Sequence, residues 1–134
     1  MPSRSLRTVA GVILAAAALL FSSQAGAFER LAYTNATLEW ARAGEGPYVV
    51  FVHADWCTTC RAQDRALEQL ADDPRFFNLR IVVVDYDTQT HIMRFFNTPE
   101  RSTFVAFRGT TETLRMSGVT SVEGVEAFLL RAME

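Results

Sequence analysis

The chain has 134 residues, with 13 basic and 15 acidic side chains and a formal net charge of −2. All the basic residues are arginines and none cluster, which excludes the electrostatic footprint of a nucleic-acid binder. Two cysteines exclude the disulfide-dense scaffold that small exported proteins use in place of a large core.

Residues 1–27 read as a cleavable signal peptide. Arg4 and Arg7 give a positive start, and Val9 to Phe21 is an uncharged apolar run of 13 residues. That run is short of the ~18–20 residues that span a bilayer. Ala25-Gly26-Ala27 fits a small-residue cleavage pattern, which places the cut after Ala27. No cysteine follows the run to carry a lipid anchor. The expectation is export of a soluble protein. Removing 27 of the 134 residues leaves 107, enough for one domain with its own core. This part, residues 28–134, keeps 11 arginines against 15 acidic residues, a net −4, and shows no internal repeat or basic amphipathic helix.

Phe28 to Thr34 reads as a short edge strand. Asn35 is the expected N-cap of a short helix through Ala43, with Leu38 and Ala41 facing inward. Gly44 and Gly46 stop it and Pro47 restarts the chain extended. Tyr48 to His53 is apolar at successive positions, as in a strand buried on both faces.

The spacing predicts a helix from about Cys57 to Leu70 or Ala71. Ala62, Ala66, Leu67 and Leu70 face in, while Arg61, Asp64, Arg65 and Glu68 face out. Asp72-Asp73-Pro74 breaks it, and Phe76, Phe77 and Leu79 pack a short connection. Arg80 to Asp85 is a second buried strand, making a parallel crossover unit with the first. A helix from about Gln89 to Phe96 ends at Asn97-Thr98-Pro99. Thr103 to Phe107 and Glu112 to Ser117 form an antiparallel edge hairpin, with Leu114 and Met116 in and Thr113 and Arg115 out. Thr120 and Glu123 suggest a capping box for a last helix to about Met133, burying Val122, Val125, Phe128 and Leu129.

Cys57 and Cys60 are the only cysteines, and they open the predicted helix that follows the first buried strand. A helix starting there aims unpaired backbone N–H groups at the Cys57 sulfur, and its dipole favours negative charge on it. The thiolate is the reactive form of cysteine. Cys60 comes round one turn later, within reach of a disulfide. The expectation is a reversible dithiol with one acidified, exposed sulfur and one shielded sulfur. A bridge closing so short a loop adds little stability, so the pair reads as a working part. Two other readings are an inert pair in the core and half of a zinc site. A structural zinc needs four ligands, and only His53 and His91 are available besides.

The order of elements, the Trp-Cys-x-x-Cys run at a strand-to-helix junction and the closing hairpin and helix resemble the thioredoxin superfamily. The resemblance covers nearly all of residues 28–134. Ala54-Asp55-Trp56-Cys57 followed by Arg61 is similar to exported thioredoxin-like reductases, including the C-terminal domain of the transmembrane disulfide reductase of the bacterial periplasm. It implies an α/β fold with a central mixed sheet of four to five strands and about four helices. It implies a periplasmic, monomeric protein-disulfide reductase with no cofactor beyond the Cys57–Cys60 disulfide. Cys57 matches the attacking cysteine and Cys60 the resolving one. Protein disulfides are the implied substrates and a membrane-embedded thiol protein the implied electron donor. Trp56 matches the aromatic that walls the site, and Gly118 the glycine bordering the substrate groove.

Two positions depart from the family pattern. Ser102, followed by Thr103, stands where the family has a cis-proline and threonine. A cis bond costs ~2.5–4 kcal/mol before serine against ~0.5–1 before proline, so the Arg101–Ser102 bond is expected trans. Loss of that proline also removes a residue that keeps metals off the dithiol. It leaves open a metal or iron–sulfur binding module using Cys57 and Cys60. A non-catalytic thioredoxin-like adaptor is the other alternative. The second departure is Phe51, where many thioredoxins bury an acid. Strand alternation puts His53 on the same side, two residues nearer the cysteines. It is therefore the candidate proton acceptor for Cys60, or else a histidine bonded to Asp55 or to backbone at the strand end.

Overall fold

The structure, a computed structural model, describes residues 26–134. The expected signal peptide lies outside the described residues except for Gly26 and Ala27. Ala27 is buried, and its N–H donates to the Ala71 carbonyl at 2.6 Å. Among the described residues no helix is long and apolar enough to cross a membrane.

The elements in order are β1 (Phe28–Ala32), α1 (Asn35–Ala43), β2 (Tyr48–His53), α2 (Thr58–Leu70), β3 (Leu79–Asp85), α3 (Thr90–Phe95), β4 (Thr103–Arg108), β5 (Thr111–Ser117) and α4 (Val122–Met133). A turn of 3-10 helix, Pro74–Phe76, follows α2. The five strands form one sheet in the order β1-β3-β2-β4-β5. β3 runs parallel to both β1 and β2, whereas β4 is antiparallel to β2 and to β5.

β2 is central, and Tyr48 to Val52 are all fully buried, as their unbroken apolar run requires. Alternation along it divides the core in two. Val49 and Phe51 face α2 and α4, packing with Leu67, Leu70, Phe128 and Leu129. Tyr48, Val50 and Val52 face α1 and α3, packing with Leu38, Ile92, Met93 and Phe96. Phe51 stacks on Phe104 of β4 at 4.3 Å between ring centroids. The two cysteines belong to the α2–α4 side of this core.

Several local expectations are corrected. The cap of α1 is Thr34, not Asn35, because Thr34 and Thr37 satisfy each other in a reciprocal capping box. The cap of α4 is Ser121, not Thr120; its hydroxyl accepts the Gly124 N–H at 3.1 Å. Phe77 is 63% exposed rather than packed, since the connection turns it away while Phe76 fills the core. Asp64 is half-buried and Val122 only half-buried.

Gly124 explains how the start of α4 closes. A Cβ there would stand 2.4 Å from Val119 Cγ1 and 2.8 Å from Ser121 Oγ. Alanine is the better helix former by about 1 kcal/mol, but the overlap with a stiff valine outweighs that. Gly124→Ala is expected to destabilise the protein by about 1–3 kcal/mol in urea unfolding; a more stable variant would show that Val119 yields freely.

Candidate active site

Cys57 is the N-cap of α2, with extended backbone (φ −79°, ψ 114°), and its Sγ accepts the Cys60 N–H at 3.2 Å. A sulfur occupies the place usually taken by a serine or aspartate oxygen. Sulfur accepts weakly as a thiol and better as a thiolate, so the cap favours the anion. Cys60 lies one turn on, in the first turn of α2. Cys57 is 4% exposed and Cys60 0%. The order agrees with a reactive and a shielded sulfur, but Cys57 is buried, not open as expected.

Ser102 closes the site from the other side. Its N–H donates to the Val52 carbonyl at 2.8 Å, extending the β2–β4 pairing by one bond. Its carbonyl accepts from the Gly118 N–H at 2.9 Å and from Gln63 Nε2 at 3.0 Å. Its Oγ lies 3.2 Å from Cys57 Sγ and 3.1 Å from Cys60 Sγ. The described residues contain no cis peptide bond, so Arg101–Ser102 is trans, and Ser102 has φ +59°. Serine in this left-handed region costs of order 1–3 kcal/mol, a strain the surrounding hydrogen bonds must offset.

Beside the sulfurs lies a polar cavity of about 410 Å³ lined by Thr59, Tyr86, Arg101, Ser102, Ser117 and Gly118. Gly118 has φ +72°, which a side chain would resist. Thr103 Oγ1 is 2.9 Å from Ser117 Oγ, joining the start of β4 to the end of β5. Trp56, expected to wall the site, is 54% exposed and does not line this cavity, and neither does Thr103, which is buried. Trp56 Nε1 donates to Asp87 Oδ2 at 2.9 Å, and the Arg101 guanidinium lies 4.7 Å above the Trp56 ring.

The two thiols are driven apart in acidity. Burial pushes Cys57 up, but hydrogen bonds from the Cys60 thiol, the Ser102 hydroxyl, the Cys60 N–H and Arg101 outweigh it and bring it down to about 7. Burial pushes Cys60 up, and its bond and charge contact with Cys57 push it further; Ser102 and the Ala54 backbone oppose this without reversing it.

His53 sits on the Phe51 side of β2, as alternation requires, with its ring edge-on to Phe51 at 5.4 Å. Its Nε2 is 2.7 Å from Asp64 Oδ2 and its Nδ1 is 3.6 Å from Asp55 Oδ1. Asp64 also accepts from Arg30 Nη1 at 2.8 Å. Both ring nitrogens thus face carboxylates, and among the described residues no hydrogen bond joins His53 to either sulfur. Among the described residues no group of three His, Cys, Asp or Glu side chains is arranged to hold a metal ion.

Gln63 escaped the sequence reading. It is fully buried, and its Nε2 bridges the carbonyls of Ser102 and Val119, each at 3.0 Å. Its Oε1 is buried without a partner among the described residues, which costs about 1–3 kcal/mol. The signal was a glutamine on the inward stripe of α2, in line with Cys60, Leu67 and Leu70.

A thioredoxin family model matches residues 32–131. The chain belongs to the thioredoxin family. It is 34% identical to Trxlp from Edwardsiella tarda EIB202, with a TM-score of 0.71 over 75% of this chain and 98% of that one. Malassezia sympodialis thioredoxin superposes with a TM-score of 0.67 at 19% identity, over 78% of this chain and 94% of that one. Fasciola hepatica thioredoxin gives 0.64 at 24% identity, over 78% and 99%. These last two speak for the fold alone. No curated protein matches the chain. The fold is the thioredoxin fold, a mixed five-stranded sheet with four helices, and its adjacent Cys57 and Cys60 are consistent with a thiol–disulfide oxidoreductase.

Two outcomes follow from this geometry. Alkylation of the reduced protein is expected to label Cys57 with a half-maximal rate near pH 7, and Cys60 only at higher pH. Equal labelling of the two would remove the helix-terminus argument. Because the Cys57 thiol is depressed on folding, its ionisation stabilises the reduced protein fully above its ordinary value of 9.0. That stabilisation is lost as pH falls through about 7. Relative to Cys57→Ser, wild type is therefore expected to gain stability between these values, measured by denaturant unfolding under reducing conditions.

Proposed function

We propose that this protein is an exported protein-disulfide reductase, with Cys57 as the attacking and Cys60 as the resolving cysteine. The observation that carries this reading is the capping of α2 by Cys57 Sγ, with the thiol brought down to about 7 beside a less acidic partner. A thiol whose acidity lies near ambient pH combines a large thiolate fraction with good nucleophilicity.

The Cys57 thiolate attacks one sulfur of a substrate disulfide. A Cys57–substrate bond forms, the substrate S–S bond breaks, and the second substrate sulfur leaves as a thiolate that takes up a proton. Cys60 then loses its proton and attacks Cys57 Sγ. The mixed disulfide breaks, the first substrate sulfur leaves and is protonated, and Cys57–Cys60 is left oxidised. Two electrons pass from the dithiol to the substrate, and no other cofactor is needed.

The leader-like sequence of residues 1–27 supports export to the periplasm. A reductase in such an oxidising compartment needs its electrons replenished, so a membrane-embedded thiol protein is the proposed donor. Protein disulfides are the proposed substrates, entering the cavity bordered by Ser102 and Gly118, and the protein is proposed to act as a monomer. His53, tied to Asp64, acts on the site only through α2 in this reading, and the Cys60 proton leaves by another route. His53→Gln should therefore keep the wild-type pH–rate profile; a shifted profile would restore it as proton acceptor.

Reduction of insulin disulfides by residues 28–134 tests the activity. Cys57→Ser should abolish it, and Cys60→Ser should accumulate a mixed disulfide at Cys57 with its substrates. A Cys60→Ser protein that traps nothing in periplasmic extracts would overturn the reading.

A further inference from the structure

Ser102 occupies a place no inert spacer needs. It is buried, and its hydroxyl is within hydrogen-bond distance of both sulfurs, at 3.2 Å and 3.1 Å. A hydroxyl has one proton to donate and lone pairs to accept. At these distances the hydroxyl can donate its proton to either sulfur, and rotation about the Cβ–Oγ bond selects which.

The backbone around it leaves little other freedom. The Ser102 N–H is held by the Val52 carbonyl, and its carbonyl by the Gly118 N–H and Gln63 Nε2. Gln63 also holds the Val119 carbonyl, so one buried amide ties α2 to the loops on both sides of the β4–β5 hairpin. Its unpartnered Oε1 shows that this placement is kept at a cost to the fold. The strained φ of Ser102 points the same way, because backbone strain persists only where the surroundings over-determine it.

We propose that Ser102 is a catalytic hydrogen-bond switch whose single O–H proton is given to whichever of Cys57 and Cys60 is anionic, and that Gln63 is the positioning residue that holds it between them. The proposal rests on the dithiol exchange described above. Before attack the hydroxyl donates to the Cys57 thiolate. Once Cys57 is bonded to the substrate sulfur, it carries no charge and no longer holds that hydrogen bond. The hydroxyl then turns to Cys60, whose own proton passes to solvent or to the departed substrate thiolate. Cys60, now the thiolate and stabilised by Ser102, attacks Cys57 Sγ and expels the first substrate sulfur, the one bonded to Cys57, as its thiolate. The serine gains and loses no proton over the cycle. The other groups facing the pair are Arg101, which also favours the Cys57 thiolate, and the thiols themselves.

The test pairs Ser102→Gly with Ser102→Ala. Both remove the hydroxyl, but only glycine accepts the left-handed backbone without strain, so a hydroxyl effect must appear in both. Thiolate absorbance of the reduced proteins is followed against pH. Both variants are expected to show about tenfold less Cys57 thiolate than wild type at about pH 6, the size of one hydrogen bond to a charged group. In stopped-flow reaction with an aromatic disulfide that releases a coloured thiol at each step, both the attack and the resolution phase should slow. Gln63→Met should shift the titration the same way by less, with Ser102 still present. Wild-type titration in both Ser102 variants would overturn the proposal, and so would a shift in Ser102→Ala alone, which would trace the effect to backbone strain. The titration uses no protein substrate, so it is independent of whether wild type reduces protein disulfides, and failure of that reading would show separately in the insulin assay.

Discussion

The double pairing of β2 is the constraint on which the site depends. β2 is held by β3 in parallel and by β4 in antiparallel register. These polarities bring four chain junctions to one end of the sheet. β2 leaves toward Cys57 and β3 toward Tyr86 and Asp87, while β4 enters from Ser102 and β5 leaves toward Gly118. Crevices outside the carboxyl ends of parallel strands are where α/β sheets gather their functional groups. Here the antiparallel hairpin contributes to the same end because it begins and finishes there. The bond from the Ser102 N–H to Val52 is the last rung of that pairing, and it sets the distance between the serine hydroxyl and the sulfurs.

Elements decided by long apolar runs or by strong periodicity were legible. β2, spanning Tyr48–His53, has the predicted bounds, because a strand buried on both faces leaves no polar position to blur its ends. The cysteine helix was legible for a different reason, since Cys57 and the inward stripe fix its start and face together. Choices between adjacent capable residues were not legible. Thr34 and Asn35 are both good caps, and so are Thr120 and Ser121; at α1 the reciprocal bonds with Thr37 decide for Thr34. At α4 the Gly124 N–H reaches the Ser121 hydroxyl. Phe77 was misplaced because two adjacent aromatics cannot both face one core from a single turn.

In the site itself, the cysteines, Ser102 and Gly118 could be placed by counting from strands. The partners of polar side chains could not. Alternation put His53 on the correct face, yet its ring direction depends on Asp64, which lies eleven residues away on the next helix. Gln63 stood on an apolar stripe, and only the return of the β4–β5 hairpin supplies the two carbonyls that make its burial tolerable. Such pairings are set by three-dimensional closure and leave no periodic trace in the chain.

The acidities of the two sulfurs also depend on one another in a way that gives the proposed exchange its order. In the reduced protein, burial and the neighbouring Cys57 both hold the Cys60 proton in place. This protects the second thiol while the first is free to attack. Formation of the mixed disulfide removes the Cys57 charge and its thiol hydrogen bond, and with them two of the causes that raise Cys60. The Ser102 hydroxyl and the Ala54 backbone remain, and both favour its thiolate. Burial still opposes ionisation, but it now does so alone. In the proposed exchange these changes favour the Cys60 thiolate at the step that needs it as a nucleophile. On this proposal, a thioredoxin fold that lacks the buried acid and the proline at Ser102 orders the two steps through one hydroxyl and one pair of mutually dependent thiols.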